Sequence, residues 1–322
     1  MKFILERKEF LNESNQQDII DLLTKKSCYL VDGLWNCDKN LNLGTDIPRH
    51  IIINKNGKLN VRFGVIKGDF TIPRNAKMVS HVRLNDLTGM PIEVHGYVSL
   101  ANNNISNLIR FPKYVGGDVK LNGNIINNII GLPDHVKGFL DLENNNITDL
   151  KGFPKKVDGL IHLDGNKITS LVGLPKKIYG NLNVGSNPIS SLEGIPKDFS
   201  GDLGINNTHM RRLIGVPVNT KHVHIYDCRK LETIVDLIGH NATIADEFFP
   251  PNNITKHIKY EVIAYEPNQT RADFYTKLVV YMIKEKIPFE DYPIWPEDLL
   301  DFLEPKYRNL FNSFKSVTKY NL

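Results

Sequence analysis

Asp141, Glu143, His162 and Asp164 are the side chains of this sequence whose types could act together, although no linear motif joins them. Three carboxylates can hold a hard cation, and a histidine beside a carboxylate can trade a proton. Ligands spread over a flat surface, however, do not wrap a cation as a loop does. No serine or cysteine nucleophile is placed beside His162, and no pocket is implied around it. Phe139 and Leu160 fall next to the acids, and an aromatic and an aliphatic side chain rimmed by charge have the composition of a protein-binding hot spot. The residues expected to meet a protein partner are Tyr97, Phe139, Leu160, Asp141, Glu143, His162 and Asp164. Such a partner would be basic and partly apolar. No catalysis, metal or cofactor is expected.

An internal repeat brings these residues together. Prolines at 91, 112, 133, 154, 175, 196 and 217 recur at one constant interval without a slip. Five residues after each of the first six stands a glycine, and seven and nine residues after stand apolar pairs such as Leu140/Leu142 and Ile161/Leu163. Twelve residues after comes Asn103, Asn124, Asn145, Asn166 or Asn187, with Thr208 in the sixth unit. Each alternating pair predicts a short strand that cannot bury its own apolar face, so it must lie on the next copy. A unit of this length is too short for a helical return path, which is expected to be extended or 3₁₀. The asparagines are expected to turn inward and satisfy backbone groups at a bend. Residues six, eight and ten after each proline alternate with the buried pair and must face outward. At about 4.8 Å per strand, that parity makes Asp141, Glu143, His162 and Asp164 neighbours.

The pattern L-x-L-x-x-N-x-I-x-x-L, spelled "LDLENNNITDL" from Leu140 to Leu150, resembles the leucine-rich repeat in its short, proline-bearing version common in bacteria and tailed bacteriophages. The resemblance is strong over roughly residues 90 to 237 and weaker upstream, where "RFGVIKGDFTI" looks like a degenerate unit. It implies a leucine-rich-repeat solenoid with one parallel β-sheet face and a 3₁₀ or extended convex side. The opening "MKFILERKEFLNES" is similar to the N-termini of phage-encoded proteins, including peptides that direct cargo into the prohead.

The organisation expected from these signals is a helix and hairpin cap over 1–45, a solenoid over 46–237 that is regular over 90–216, and a mostly α-helical C-terminal domain over 238–322. The cap rests on "DIIDLLTKK", and the C-terminal domain on "ADFYTKLVVYMIKEK", where Phe274, Leu278, Val279, Met282 and Ile283 recur at helical spacing. After Leu237 there is no cysteine, which argues against the leucine-rich-repeat effectors that carry a ubiquitin-ligase domain.

Composition points to the cytoplasm, that of a host cell if the chain is phage-encoded. Charged residues interrupt the first apolar stretch, so no signal peptide is expected, and no apolar run reaches the roughly 18 residues of a membrane span. Three cysteines, Cys28, Cys37 and Cys228, are too few for a disulfide framework. Cys28 and Cys37 can face each other across a hairpin, but a cytosolic setting argues against a bridge. "HVHIYDC", from His222 to Cys228, lacks a fourth metal ligand at usable spacing. A candidate basic ridge of Lys113, Lys155, Lys156, Lys176, Lys177 and Lys197 follows the prolines. The net charge is only +4 and Tyr114 is the one aromatic in that ridge, so nucleic acid is not the expected partner. The function expected is a non-catalytic scaffold that binds a host or phage protein on its sheet face. The alternative is a virion-associated or packaged protein directed by its N-terminal peptide and touching nucleic acid through the ridge.

Overall fold

The computed structural model describes residues 13–43, 52–73, 83–225, 227–240, 242–244, 264–267, 269–287 and 299–312 without 304, 306 and 310. The N-terminal peptide that resembles prohead-targeting sequences lies, up to residue 12, outside them. The chain forms two compact units, Met1–Val184 and Gly185–Leu322.

In the first unit, helix α1 (Glu13–Lys25) leads into an antiparallel hairpin, Cys28–Val31 with Leu34–Cys37. Ile19 and Leu23, four residues apart, are the buried stripe of α1. Cys28 and Cys37 stand directly opposite each other and are disulfide-bonded, which corrects the unbridged pair expected for a cytosolic chain. The physical reason is the hairpin register, which brings the two Cα atoms to 4.0 Å.

From Leu34 onward the chain winds as coils, and each coil up to Ile161–His162 contributes one strand to each of two sheets whose coil-to-coil pairing is parallel. The first sheet continues from the hairpin through Phe63–Ile66, Glu93–Val94, Tyr114–Val115, His135–Val136 and Lys156–Val157. The second sheet of this unit holds Leu41–Asn42, Phe70–Thr71, Val98–Ser99, Val119–Lys120, Leu140–Asp141, Ile161–His162 and Leu182–Asn183. A short corner such as Gly116–Asp118 joins the two strands of one coil. The constant proline spacing reappears as ladder register, with Leu140 paired to Ile161 and Val136 to Val157. The first coils are longer: Leu41 pairs with Phe70 and Phe70 with Val98, whereas Val98 already finds its partner at Val119.

The core lies between the two sheets and the return path. Val115, Val136 and Val157 point in from the first sheet, Val119, Leu140 and Ile161 from the second, and Ile126, Ile147 and Ile168 close the coil; all are at most 1 % exposed. Where the coil bends after the second strand, the asparagines are buried and fully used. Asn145 Nδ2 donates to the carbonyls of Leu121, Leu142 and Glu143, at 3.1, 3.1 and 3.2 Å. Its Oδ1 accepts from the Ile126 amide at 3.0 Å. Asn124 and Asn166 repeat the arrangement one coil away on either side. Each asparagine therefore ties its own bend to the preceding coil.

In the second unit, strands Leu203–Gly204, His222–His224 and Thr243–Ile244 stack in parallel. Thr208 and then Cys228 occupy the position of the asparagines. Cys228, 1 % exposed, donates through Sγ to the Ile205 carbonyl at 3.1 Å, and burial raises its thiol pKa. This cysteine is therefore a core residue. Helix α2 (Arg271–Lys284) is capped by Thr270, whose Oγ1 accepts from the Asp273 amide while the Asp273 carboxylate accepts from the Thr270 amide. It buries Phe274, Tyr275, Leu278, Val279 and Met282. A short helix, α3 (Leu299–Phe302), follows.

These elements correct the expected architecture of a leucine-rich-repeat solenoid with one sheet face, a 3₁₀ or extended convex side and a mostly α-helical C-terminal domain. Among the described residues helices are few and parallel strands dominate, so the fold is an α/β sheet fold. The physical reason is a column of β-branched residues three after each proline, from Val94 to Val157, which forms a second ladder of its own. Parallel stacking also runs past residue 237, since His222 and Val223 pair with Thr243 and Ile244.

Candidate functional site

The outward face of the second sheet is set by the registers Ser99 to Lys120, Lys120 to Asp141, Asp141 to His162 and His162 to Asn183. Strands this short expose one side chain each, so the row runs Ser99, Lys120, Asp141, His162, Asn183 across five coils. Flanking it on the corner side are Tyr97, Phe139 and Leu160, and on the bend side Glu143 and Asp164. The structure thus brings together every residue expected at this face.

Lys120 is the member that sequence reasoning left out. Its Nζ lies 5.0 Å from the centre of the Tyr97 ring and 4.9 Å from that of Phe139, held between two aromatics two coils apart. The signal was available, because Lys120 belongs to the same outward column as Asp141 and His162. Beside this cluster Leu160 keeps 38 % of its surface exposed, and Phe139 is half-buried. Asp118, also at the corner, serves the backbone: its Oδ1 accepts from the Phe139 amide at 3.0 Å.

The acids are differently arranged. Asp141 Oδ1 accepts from the Glu143 amide at 3.1 Å, and Glu143 Oε1 accepts from Asn144 Nδ2 at 2.6 Å. Asp164 is half-buried with Oδ1 shielded from solvent and without a hydrogen-bond partner. Desolvation, reinforced by the neighbouring Glu143 carboxylate, pushes its pKa up from 3.8 to about 6. Among the described residues no three His, Cys, Asp or Glu side chains converge closely enough to hold a metal ion.

A pH prediction follows from Asp164. Because the folded state holds this proton more tightly than the unfolded chain, stability should fall as pH rises from about 4 to about 6. The shift corresponds to at most ~3 kcal/mol, reduced to about 1 kcal/mol by the solvent that still reaches the carboxyl. Asp164→Asn is therefore expected to raise stability by about 1 kcal/mol at pH 8 and to leave it unchanged near pH 3.5, in urea titrations at both pH values.

The ridge lysines lie elsewhere. Lys156 sits on the outer face of the first sheet, while Lys113, Lys155 and Lys176 occupy the turns just after the prolines. Lys155 pairs with Asp134 at 2.6 Å and Lys156 with Asp158 at 2.8 Å. The hydrogen bond that Lys156 donates to the Asp158 carboxylate holds its ammonium above its ordinary pKa. Lys177 lies 4.9 Å from the centre of the Tyr179 ring. Lys197 belongs to the second unit and is exposed. His222, also of that unit, contacts Asp202 at 2.6 Å, a surface pairing of the H-x-H motif. Among the described residues no helix is long and apolar enough to cross a membrane. Compared with protein-family models, curated proteins and solved structures, this chain matches none of them.

Proposed function

We propose that the chain is a non-catalytic scaffold that binds a protein, host or phage in origin, on the outward face of the second sheet. The observation that carries this reading is the Tyr97–Lys120–Phe139 cluster with exposed Leu160 at its side. Each member lies on or immediately before a strand whose inward residue is fully buried, so the face is pre-ordered and binding costs little side-chain entropy. The aromatic rings and Leu160 supply the apolar anchor, and Asp141, Glu143 and Asp164 form a rim of acids along one flank. A basic, partly apolar surface complements it. In this reading the protein works in the cytoplasm.

The test is quantitative capture with Phe139→Asp/Leu160→Asp. The doubly substituted chain is expected to lose its partner by at least about 30-fold in affinity, the scale of a hot spot. Both positions are partly exposed, so the unfolding midpoint should hold. Capture that is indifferent to the double substitution, in a chain that melts normally, would exclude this face.

A further inference from the structure

The first sheet also has an outward face, and it differs in kind from the second. Alternation puts the residues two and four after each proline outside, because the valine between them is buried. Over the four coils from Glu93 to Lys156 and the next coil, which continues the stack without a strand, this face and the turns that edge it gather Lys113, Lys137, Lys155, Lys156, Lys176 and Lys177. The acids there are Glu93, Asp134 and Asp158; Asp134 is engaged by Lys155, and Asp158 by Lys156 and His135. Lys113, Lys137, Lys176 and Lys177 have no carboxylate partner among the described residues. Over the same coils the outward side of the second sheet and its corner carry Asp118, Asp141, Glu143 and Asp164 against one lysine, Lys120. The small net charge of +4 thus conceals two faces of opposite character.

Two tyrosines interleave with the lysines. Lys137 Nζ lies 5.0 Å from the centre of the Tyr114 ring and donates to its hydroxyl at 2.9 Å. Lys156 and Lys177 lie 5.5 and 4.9 Å from the centre of the Tyr179 ring, which is 54 % exposed. Tyr179 escapes sequence inspection because it lies four residues after its proline, and only the burial of the valine column reveals that position as outward. From the coil of His95 to that of Tyr179 is four steps, or roughly 19 Å at 4.8 Å per strand.

We propose that the outer face of the first sheet binds single-stranded nucleic acid, with phosphates on the lysines and bases against Tyr114 and Tyr179. A single strand offers both partners this face can use, a charged backbone and uncovered flat bases. A duplex hides its base faces, and an acidic peptide has none. The length of the strip matches a short site, at the lower end of the about 4–16 nucleotides that such surfaces cover. This surface is separate from the protein-binding face of the second sheet and does not depend on it.

The experiment is fluorescence anisotropy of the full chain with labelled oligo(dT) of about 20 nucleotides over a salt series, for wild type, Lys113→Glu/Lys176→Glu and Tyr179→Ala. All three substituted positions are exposed, and melting curves verify that each variant folds. Wild type is expected to bind with a steep salt dependence. The lysine double variant should bind at least about tenfold more weakly, with a log–log slope shallower by about 1.4 for two lost phosphate contacts. Tyr179→Ala should weaken binding about fivefold or more with the slope unchanged. No binding by wild type, binding that depends on the lysines but not on Tyr179, or equal competition by polyglutamate at matched charge would each overturn the proposal.

Discussion

Asn145→Ala is expected to cost about 3 kcal/mol of stability, a large share of what holds a folded domain together. The side chain is 6 % exposed, and its four hydrogen bonds span two coils. Removing it strands the buried Ile126 amide, at about 1–3 kcal/mol, leaves the Leu121 and Leu142 carbonyls one asparagine donor each, from Asn124 and Asn166, and opens a small cavity as well. Asn127→Ala provides the comparison: this asparagine is exposed and its Oδ1 meets only Asn128, so the change should stay within about 0.5 kcal/mol. Chemical denaturation of the two variants side by side measures the difference. Equal stabilities would show that the asparagine column does not carry the stack.

Gly159→Ala is expected to cost about 3 kcal/mol or more, the upper end of ordinary single substitutions. The φ of Gly159 is not positive, so the reason is space rather than conformation. A Cβ there would meet the Phe139 amide nitrogen at 2.7 Å and the Gly138 carbonyl carbon at 2.8 Å, both backbone atoms of the preceding coil. Neither can move without parting the two coils at the corner that sets the outward aim of Phe139 and Leu160. The substitution should therefore also weaken partner capture, although alanine adds nothing that a partner would meet. Thermal unfolding together with capture checks both effects. A stable Gly159→Ala chain would mean that the coils are not in close contact at this corner.

Legibility in the sequence followed the number of copies. The constant spacing of proline, glycine, strand pair and asparagine recurs often enough to fix ladder register, and with it the company of Asp141, Glu143, His162 and Asp164. The second ladder was harder to see. Its strands are very short, and the outer residue before each valine changes from Glu93 to Tyr114 to His135 to Lys156, so only the valine repeats. The first coils, which step from Leu41 to Phe70 and from Phe70 to Val98, are longer than the rest and share too few columns with them to align by eye. Helix α2 was legible because its apolar residues recur at helical spacing over several turns. The strand at Thr243–Ile244 was not, since it is short and its coil lacks the proline and asparagine of the others. What no column can show is how side chains meet across coils. The seat of Lys120 between Tyr97 and Phe139 and the burial of Asp164 Oδ1 both arise from packing between different repeat units, which the linear sequence keeps far apart.

The most direct test of the proposed recognition face compares two apolar positions of the first unit that solvent reaches. Position 139 lies on the outward face of the second sheet; position 172, where Val172 is 60 % exposed, lies on the return path. A photo-reactive benzoylphenylalanine placed at each in turn, in nuclease-treated bacterial lysate, would report which surface touches another protein. One dominant crosslinked protein is expected from position 139, lost when Leu160→Asp is added, and none of it from position 172. Equal crosslinking from both positions, or none from position 139 in a folded chain, would contradict the proposed face.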